Sequence, residues 1–419
     1  MSKQVFDIFV KYSDQDGERL ALNVTHDLDY HIYWNLDMMS LRTNEAGLAE
    51  LRASDSIQSI ELSENYSGMA AQNVTTSASD TTAAPAAASS AAKIQQGAWG
   101  YNAIDTSKAQ TAGYTGKGVK IAILDTGISD ASGLKVSGGT STVEGVTSYN
   151  DDNGHGTFVA GIIGAKGKAY KGIAPDASLY AVKVMDKDGN GSTQSLAEGI
   201  DWAIRQHMDI INLSLSFPQQ SSAVQDLLQK AADQGITVIV AAGNNGTADG
   251  SGDTLAFPAK SPQTIAVAAV DSSLQRADFS ATGSNVELAA PGVNIVSSSV
   301  SGKYKISEGT SAAAPFVSGM VAVLKQAYPN LTAAEIRTAL QQSATDLGAA
   351  GRDNLYGYGL ISFDHLLGKN SVIASTPVAA ASNVRDASSD TFSASDNSVT
   401  PKTQATSDNS PSAVNSTFR

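Results

Sequence analysis

Gly309-Thr310-Ser311-Ala312-Ala313-Ala314-Pro315 opens an apolar run that continues from Phe316 to Leu324, and the fold turns on how it is read. A serine followed at once by helix-forming alanines stands at a helix N-terminus, where unpaired backbone N–H groups and the helix dipole favour negative charge. One reading makes the Thr-Ser pair an N-cap. The other makes Ser311 a nucleophile whose oxyanion would form at that positive end. The second requires a base, an orienting carboxylate and an oxyanion donor elsewhere in the chain.

Asp125 ends the apolar run Val119-Lys120-Ile121-Ala122-Ile123-Leu124 and precedes Thr126-Gly127. A strand ending there puts the carboxylate at the carboxyl edge of a sheet, where open α/β folds place their sites; a carboxylate capping a loop is the alternative. Asp-Thr-Gly is also an aspartic-protease signature, but that chemistry needs a second such motif, which only a dimer of this chain would supply. Of the five histidines, His26 and His31 lie early in the chain, His207 closes a polar helical stretch and His365 follows the last structured turn. His155 sits in Asn153-Gly154-His155-Gly156-Thr157-Phe158-Val159-Ala160-Gly161. The flanking glycines would leave its imidazole accessible at a loop-to-helix turn, although a structural role is equally compatible. Asn244, in Ala241-Ala242-Gly243-Asn244-Asn245-Gly246, follows another apolar run; a plain polar turn has the same composition.

Further strand-like runs at residues 179–185, 209–216, 237–242 and 264–270 are interleaved with helical stretches. Near-continuous apolar strands alternating with helices predict a three-layer α/β fold, with a mainly parallel central sheet covered on both faces. Thr332-Ala333-Ala334-Glu335 predicts a capping box that opens a helix reaching about residue 344.

Composition excludes more than it identifies. Lysine and arginine number 28 against 41 acidic residues, a formal net charge of −13, which argues against nucleic acid or an anionic membrane as the main partner. The absence of cysteine removes disulfides, thiolate catalysis and Cys-ligated metals. No run reaches membrane-spanning length, and Met1-Ser2-Lys3-Gln4 does not lead into the apolar core of a secretion signal. The default expectation is a cytoplasmic protein, with export by a non-standard route as the alternative.

Together the four segments resemble the subtilisin family of serine proteases. Ile-Leu-Asp-Thr-Gly around Asp125, Gly-His-Gly-Thr around His155, Ala-Ala-Gly-Asn ending at Asn244 and Gly-Thr-Ser-Ala-Ala-Ala-Pro around Ser311 occur in that family's order. The resemblance covers roughly residues 94–366. It implies that Ser311 attacks a peptide carbonyl, that His155 takes and returns its proton, and that Asp125 holds the imidazole. Asn244 and the Ser311 backbone N–H would then stabilise the oxyanion. It implies substrate-binding backbone at Gly189, Asn190 and Gly191 and at Ser214, Leu215 and Ser216, pairing with an extended polypeptide by strand addition. No cofactor is needed for such chemistry.

The sequence departs from the family in several places. Ser216 stands where glycine is usual at the first specificity pocket, followed by Phe217, so a side chain would narrow that entrance. Phe158 replaces a histidine and Ala312 a methionine, neither carrying proton chemistry. The metal question stays open. Calcium is a possible structural ion, and Gln95 matches a ligand position. An aspartate expected near Gly133 is missing, however, and Lys166-Gly167-Lys168-Ala169-Tyr170-Lys171 is cationic where oxygen ligands would be needed. No tight calcium site of that type is expected.

Residues 1–70 resemble a propeptide-like folding and inhibitory domain, with strands at 5–12 and 57–62 and a helix at 45–53; its first helix is not legible, and a small unrelated domain is the alternative. Residues 71–93 read as a flexible Ser/Thr/Ala linker, with cleavage expected between Ser67 and Gln95, residues 94–368 as the catalytic domain, and 369–419 as a disordered tail. The expected molecule is a monomeric, self-processing serine endopeptidase whose own N-terminal domain inhibits it. A non-catalytic scaffold on the same fold, or a serine esterase for non-peptide substrates, are the competing functions.

Overall fold

A computed structural model describes residues 4–26, 29–33, 35–67, 97–167, 170–367 and 373. The expected linker, most of the expected tail, Gln95, Lys168 and Ala169 lie outside the described residues. The N-terminal part comprises β1 (Val5–Tyr12), α1 (Gln15–Asn23), β2 (Tyr30–Tyr33), β3 (Met38–Asn44), α2 (Glu45–Arg52), β4 (Ile57–Leu62) and β5 (Asn65–Ser67). The chain then forms α3 (Trp99–Ala103), α4 (Thr106–Thr111), β6 (Lys120–Asp125), β7 (Val136–Ser141), α5 (His155–Gly164), β8 (Ser178–Lys183), β9 (Asn190–Ser192), α6 (Thr193–Arg205) and β10 (Ile210–Leu213). It continues through α7 (Ser222–Asp233), β11 (Thr237–Ala241), β12 (Thr264–Val270), β13 (Val286–Pro291), β14 (Ile295–Ser298), β15 (Tyr304–Ser307), α8 (Thr310–Ala327) and α9 (Ala333–Ser343).

The central sheet has the order β13-β12-β11-β10-β6-β8-β7, and every pair in it is parallel. Its strands are apolar on both sides because both sides are covered. In β6, Ile121 and Ile123 enter the core that contains α5 and α8, while Ala122 and Leu124 enter the core beneath α6 and α7. The three layers predicted from the alternating runs are therefore present. Sequence reading missed β7, β13 and the β14–β15 hairpin. The β7 sequence VSGGTS carries no apolar run.

In the N-terminal part, four antiparallel strands take the order β2-β3-β1-β4. Alternation in β1 divides its work: Ile8 and Val10 pack with Met39, Leu41, Leu48 and Leu51. Phe9, on the other face, joins Tyr33 and Met38 in the core shared with α6 and α7. Helix α1, illegible in the sequence, is observed. Asp14 caps it by accepting from Gly17 N at 2.9 Å, and the residues it buries are Gly17 and Ala21. Gly17 lies so close to the neighbouring loop that a Cβ would stand 2.5 Å from the Ser56 carbonyl oxygen, and the partly buried Leu20 and Leu22 pack against the same core as Ala21. Helix α9 has the predicted capping box, with Thr332 and Glu335 each bonding the other's backbone N–H.

Candidate active site

Asp125 is the last residue of β6 and has no exposed surface. Its carboxylate faces His155 Nδ1, 2.8 Å from Oδ1 and 2.9 Å from Oδ2, and Oδ1 also accepts from Thr126 N at 2.7 Å. His155 is the first residue of α5. The helix can start this close because residue 156 is glycine: a Cβ there would sit 2.1 Å from the Gly127 carbonyl oxygen. The glycines do not leave the imidazole accessible, as the sequence suggested; they let it be packed in, and the His155 side chain is 10 % exposed. A tight backbone approach replaces the open turn.

The buried Asp125 carboxylate fixes which ring nitrogen carries the proton. Nδ1–H donates to it, leaving Nε2 as the basic atom, and among the described residues Nε2 is buried without a hydrogen-bond partner. Burial acts against the imidazolium, but the charge and hydrogen bond of Asp125, followed by the charge of Asp151, outweigh it; Lys305 works the other way. The net result holds the imidazole above the ordinary histidine value.

Ser311 is the second residue of α8, 3 % exposed. Asn244 follows β11, and its Oδ1 accepts from Thr310 N and Thr310 Oγ1, both at 2.9 Å. A backbone N–H can only donate, so this contact assigns the amide oxygen and leaves Nδ2 as the donor of the side chain. Thr310 Oγ1 also accepts from Gly243 N at 3.0 Å. The backbone carbonyl of Ser311 has lost its usual i+4 donor, because residue 315 is proline. Ser214 Oγ supplies a replacement at 3.1 Å. Ser214 Oγ accepts from Asn212 Nδ2 at 3.0 Å, and Asn212 Oδ1 accepts from Ser318 Oγ at 2.7 Å. These residues tie β10 to the helix that carries Ser311.

Of the expected substrate-binding backbone, residues 190–192 form β9 and Gly189 precedes it at φ +79°. Strand β5 of the N-terminal part is already paired with it, antiparallel, matching Asn65 with Ser192, Tyr66 with Gly191 and Ser67 with Asn190. Tyr66 is buried and stacks on Phe217 with ring centroids 5.1 Å apart and planes 11° apart; Phe217 meets Phe257 edge-on at 5.3 Å. Phe217 thus faces the N-terminal part. Ser214, Leu215 and Ser216 are all buried.

Sequence reading missed Asp151, which is 4 % exposed and accepts hydrogen bonds from both the Asp125 loop and α5. It also missed Lys183, 1 % exposed, whose ammonium donates at 2.7 Å to both the Thr126 carbonyl and Asp152 Oδ1. A lysine inside an otherwise apolar strand was the signal available. No group of three or more metal-ligating side chains assembles among the described residues. Lys166 pairs with Asp176 at 2.6 Å in the cationic loop, so those residues do not fit a calcium ion there.

Further contacts fasten the N-terminal part to the larger part of the chain. Arg42 bridges Asp7 at 2.7 Å and Glu144 at 2.8 Å. His31 meets Asp201 at 2.9 Å, and Glu61 accepts from Ser222 N at 2.9 Å, at the start of α7.

Comparison with known proteins gives a match to the model of the subtilase family over residues 116–359, more than half of the chain. Subtilisin DY of Bacillus licheniformis is 42 % identical over 269 residues, covering 64 % of this chain and 97 % of that protein. Subtilisin E of Bacillus subtilis (strain 168) is 45 % identical over 268 residues, 63 % of this chain and 69 % of that protein. The minor extracellular protease Epr of Bacillus subtilis (strain 168) is 38 % identical over 362 residues, 85 % of this chain; the match spans 54 % of Epr's own length.

Proposed function

We propose, for a chain that belongs to the subtilase family of serine-type endopeptidases, that Asp125, His155 and Ser311 are its triad and Asn244 its side-chain oxyanion donor. The observation that carries this reading is the Asp125–His155 pair: a buried carboxylate within 2.9 Å of Nδ1 leaves Nε2 basic, buried and, among the described residues, without a partner. His155 would take the Ser311 proton as Oγ attacks the scissile carbonyl, and later deliver it to the leaving amine. Asn244 Nδ2 and the Ser311 backbone N–H would donate to the oxyanion at the positive end of α8.

Substrates would be extended polypeptide segments that add as a strand to β9, the position β5 takes in this chain. That occupancy, with the Arg42, His31 and Glu61 contacts, supports reading residues 1–70 as an intramolecular inhibitor and the chain as a self-processing precursor, cut beyond Ser67. Among the described residues no helix is long and apolar enough to cross a membrane. The cytoplasmic default finds no support in the relatives, one of which is named an extracellular protease; an extracellular site of action is the better proposal.

Ser311→Ala tests the whole reading. The full chain should fold, keep its N-terminal domain covalently attached and hydrolyse no casein. Self-cleavage and casein hydrolysis at undiminished rates would overturn the assignment. Esterase activity without peptidase activity in the unmodified protein would favour the non-peptide alternative.

A further inference from the structure

Asp151 belongs neither to the triad nor to the oxyanion donors, yet its buried carboxylate touches both segments that carry the Asp125–His155 pair. Oδ1 accepts from Thr126 Oγ1 at 2.9 Å, Asn153 N at 3.0 Å and Gly154 N at 2.8 Å. Oδ2 accepts from Thr157 N at 2.9 Å and Thr157 Oγ1 at 2.6 Å. The two threonines extend its reach. Thr126 Oγ1 accepts from Gly156 N at 2.9 Å, and Thr157 Oγ1 accepts from Ser129 N at 2.9 Å. The loop leaving β6 is thereby bonded to the first turn of α5 at points on both sides of His155.

A carboxylate taken out of water must be repaid by donors at its lone pairs, or it is strongly destabilising. Five donors answer that need here. All come from residues 126 and 153–157, so the demand of one charge for partners sets the distance between Asp125 and His155. We infer that Asp151 is a positioning residue for the proposed base, fixing the Asp125–His155 pair through Thr126 and Thr157 and biasing the imidazole by its charge. The inference rests on the triad reading proposed above.

Its two contributions are separable. Asp151→Asn removes the charge and turns an amide N–H₂ toward donors, disturbing both geometry and field. Thr126→Val removes one bridge and leaves the charge in place; Thr126→Ser keeps the hydroxyl. The charges facing His155 are Asp125 and Asp151, which favour the imidazolium, and Lys305, which opposes it. A base must be neutral to act, so in the unmodified enzyme kcat/KM should fall with acidification through an apparent pKa above the ordinary histidine value of about 6.5.

The experiment measures kcat, KM and the acid limb of kcat/KM on a chromogenic peptide, with Ser311→Ala alongside. Asp151→Asn should lower kcat about 10- to 100-fold, the scale of a small misplacement of reacting groups, with KM within about twofold, and should move the acid limb to lower pH. Thr126→Val should lower kcat and leave the limb where it was, and Thr126→Ser should restore the rate. Asp151→Asn that folds, turns over normally and keeps its acid limb overturns the inference, provided Ser311→Ala is inactive. An active Ser311→Ala would mean that the triad reading itself had failed. If Asp151→Asn does not yield folded protein, the Thr126 pair decides: equal rates for the valine and serine variants overturn the positioning role.

Discussion

Two sets of contacts hold the candidate site, and they differ in kind. Around Asp125 and His155 the anchors are buried charges: Asp151 with five donors, and the Lys183 ammonium between the Thr126 carbonyl and Asp152. Around Ser311 and Asn244 the anchors are neutral: Thr310 on the Asn244 amide, and the Ser318–Asn212–Ser214 relay onto the Ser311 carbonyl. The base half must stabilise an imidazolium inside the protein, which requires formal negative charge close by. The nucleophile half must stabilise an oxyanion, and the N-terminus of α8 already supplies positive potential there without a cation. The base half has no such help, because His155 itself opens α5 and its carboxylates must outweigh the positive end of that helix as well as burial.

If that contrast is correct, the largest loss should come from the charged half. Asp125→Asn keeps the shape but lets the imidazole settle in the wrong tautomer, and kcat should fall about 10⁴-fold. Single-turnover kinetics on a short peptide substrate would check it; a loss under tenfold would mean that Asp125 is not needed to orient the base.

Asn244→Ala should cost less, roughly 100- to 1000-fold in kcat with KM little changed. That magnitude was measured on a member of this same family and is not calculated from this structure. The variant also frees Thr310 N and Oγ1 from their acceptor, so Asn244→Asp, which retains an acceptor for Thr310 but loses the N–H₂ donor, separates anchoring from oxyanion donation. A rate for Asn244→Asp equal to that of the unmodified enzyme would remove Asn244 from the oxyanion site.

The same contrast explains what could be read from the sequence. The three-layer sheet was legible because β6, β8, β10, β11 and β12 are apolar on both faces and long enough to stand out as runs. Asp125, Asn244 and Ser311 were legible because each stands where such a run ends or begins. His155 could be picked out among five histidines by its glycine neighbours, yet the consequence drawn from those glycines, an exposed ring, was reversed by packing: Gly156 admits the Gly127 carbonyl against it. The buried carboxylate behind the pair was not legible, because Asp151 looks like any polar turn residue until the fold brings it beside Thr126 and Thr157. Helix α1 was hidden because the residues it fully buries are the small Gly17 and Ala21, with Leu20 and Leu22 only partly covered.

The smallest effect belongs to the neutral half. Ser214→Ala should leave the Ser311 carbonyl buried without a donor, because the N–H that would normally serve it is missing at Pro315. An unsatisfied buried carbonyl costs about 1–3 kcal/mol, so the unfolding midpoint in denaturant should drop while kcat falls less than tenfold. The cause can be isolated by restoring the backbone donor. Pro315→Ala returns an N–H four residues beyond Ser311, in position for the ordinary helical bond. In the presence of Ser214 that bond is redundant; in Ser214→Ala it replaces what was lost. The double variant should therefore be more stable than the sum of the single effects predicts, and the coupling energy of the cycle measures the relay directly. Strict additivity would mean that Ser214 and the proline gap are unconnected, leaving the Asn244–Thr310 contacts and apolar packing around α8 to hold the nucleophile half.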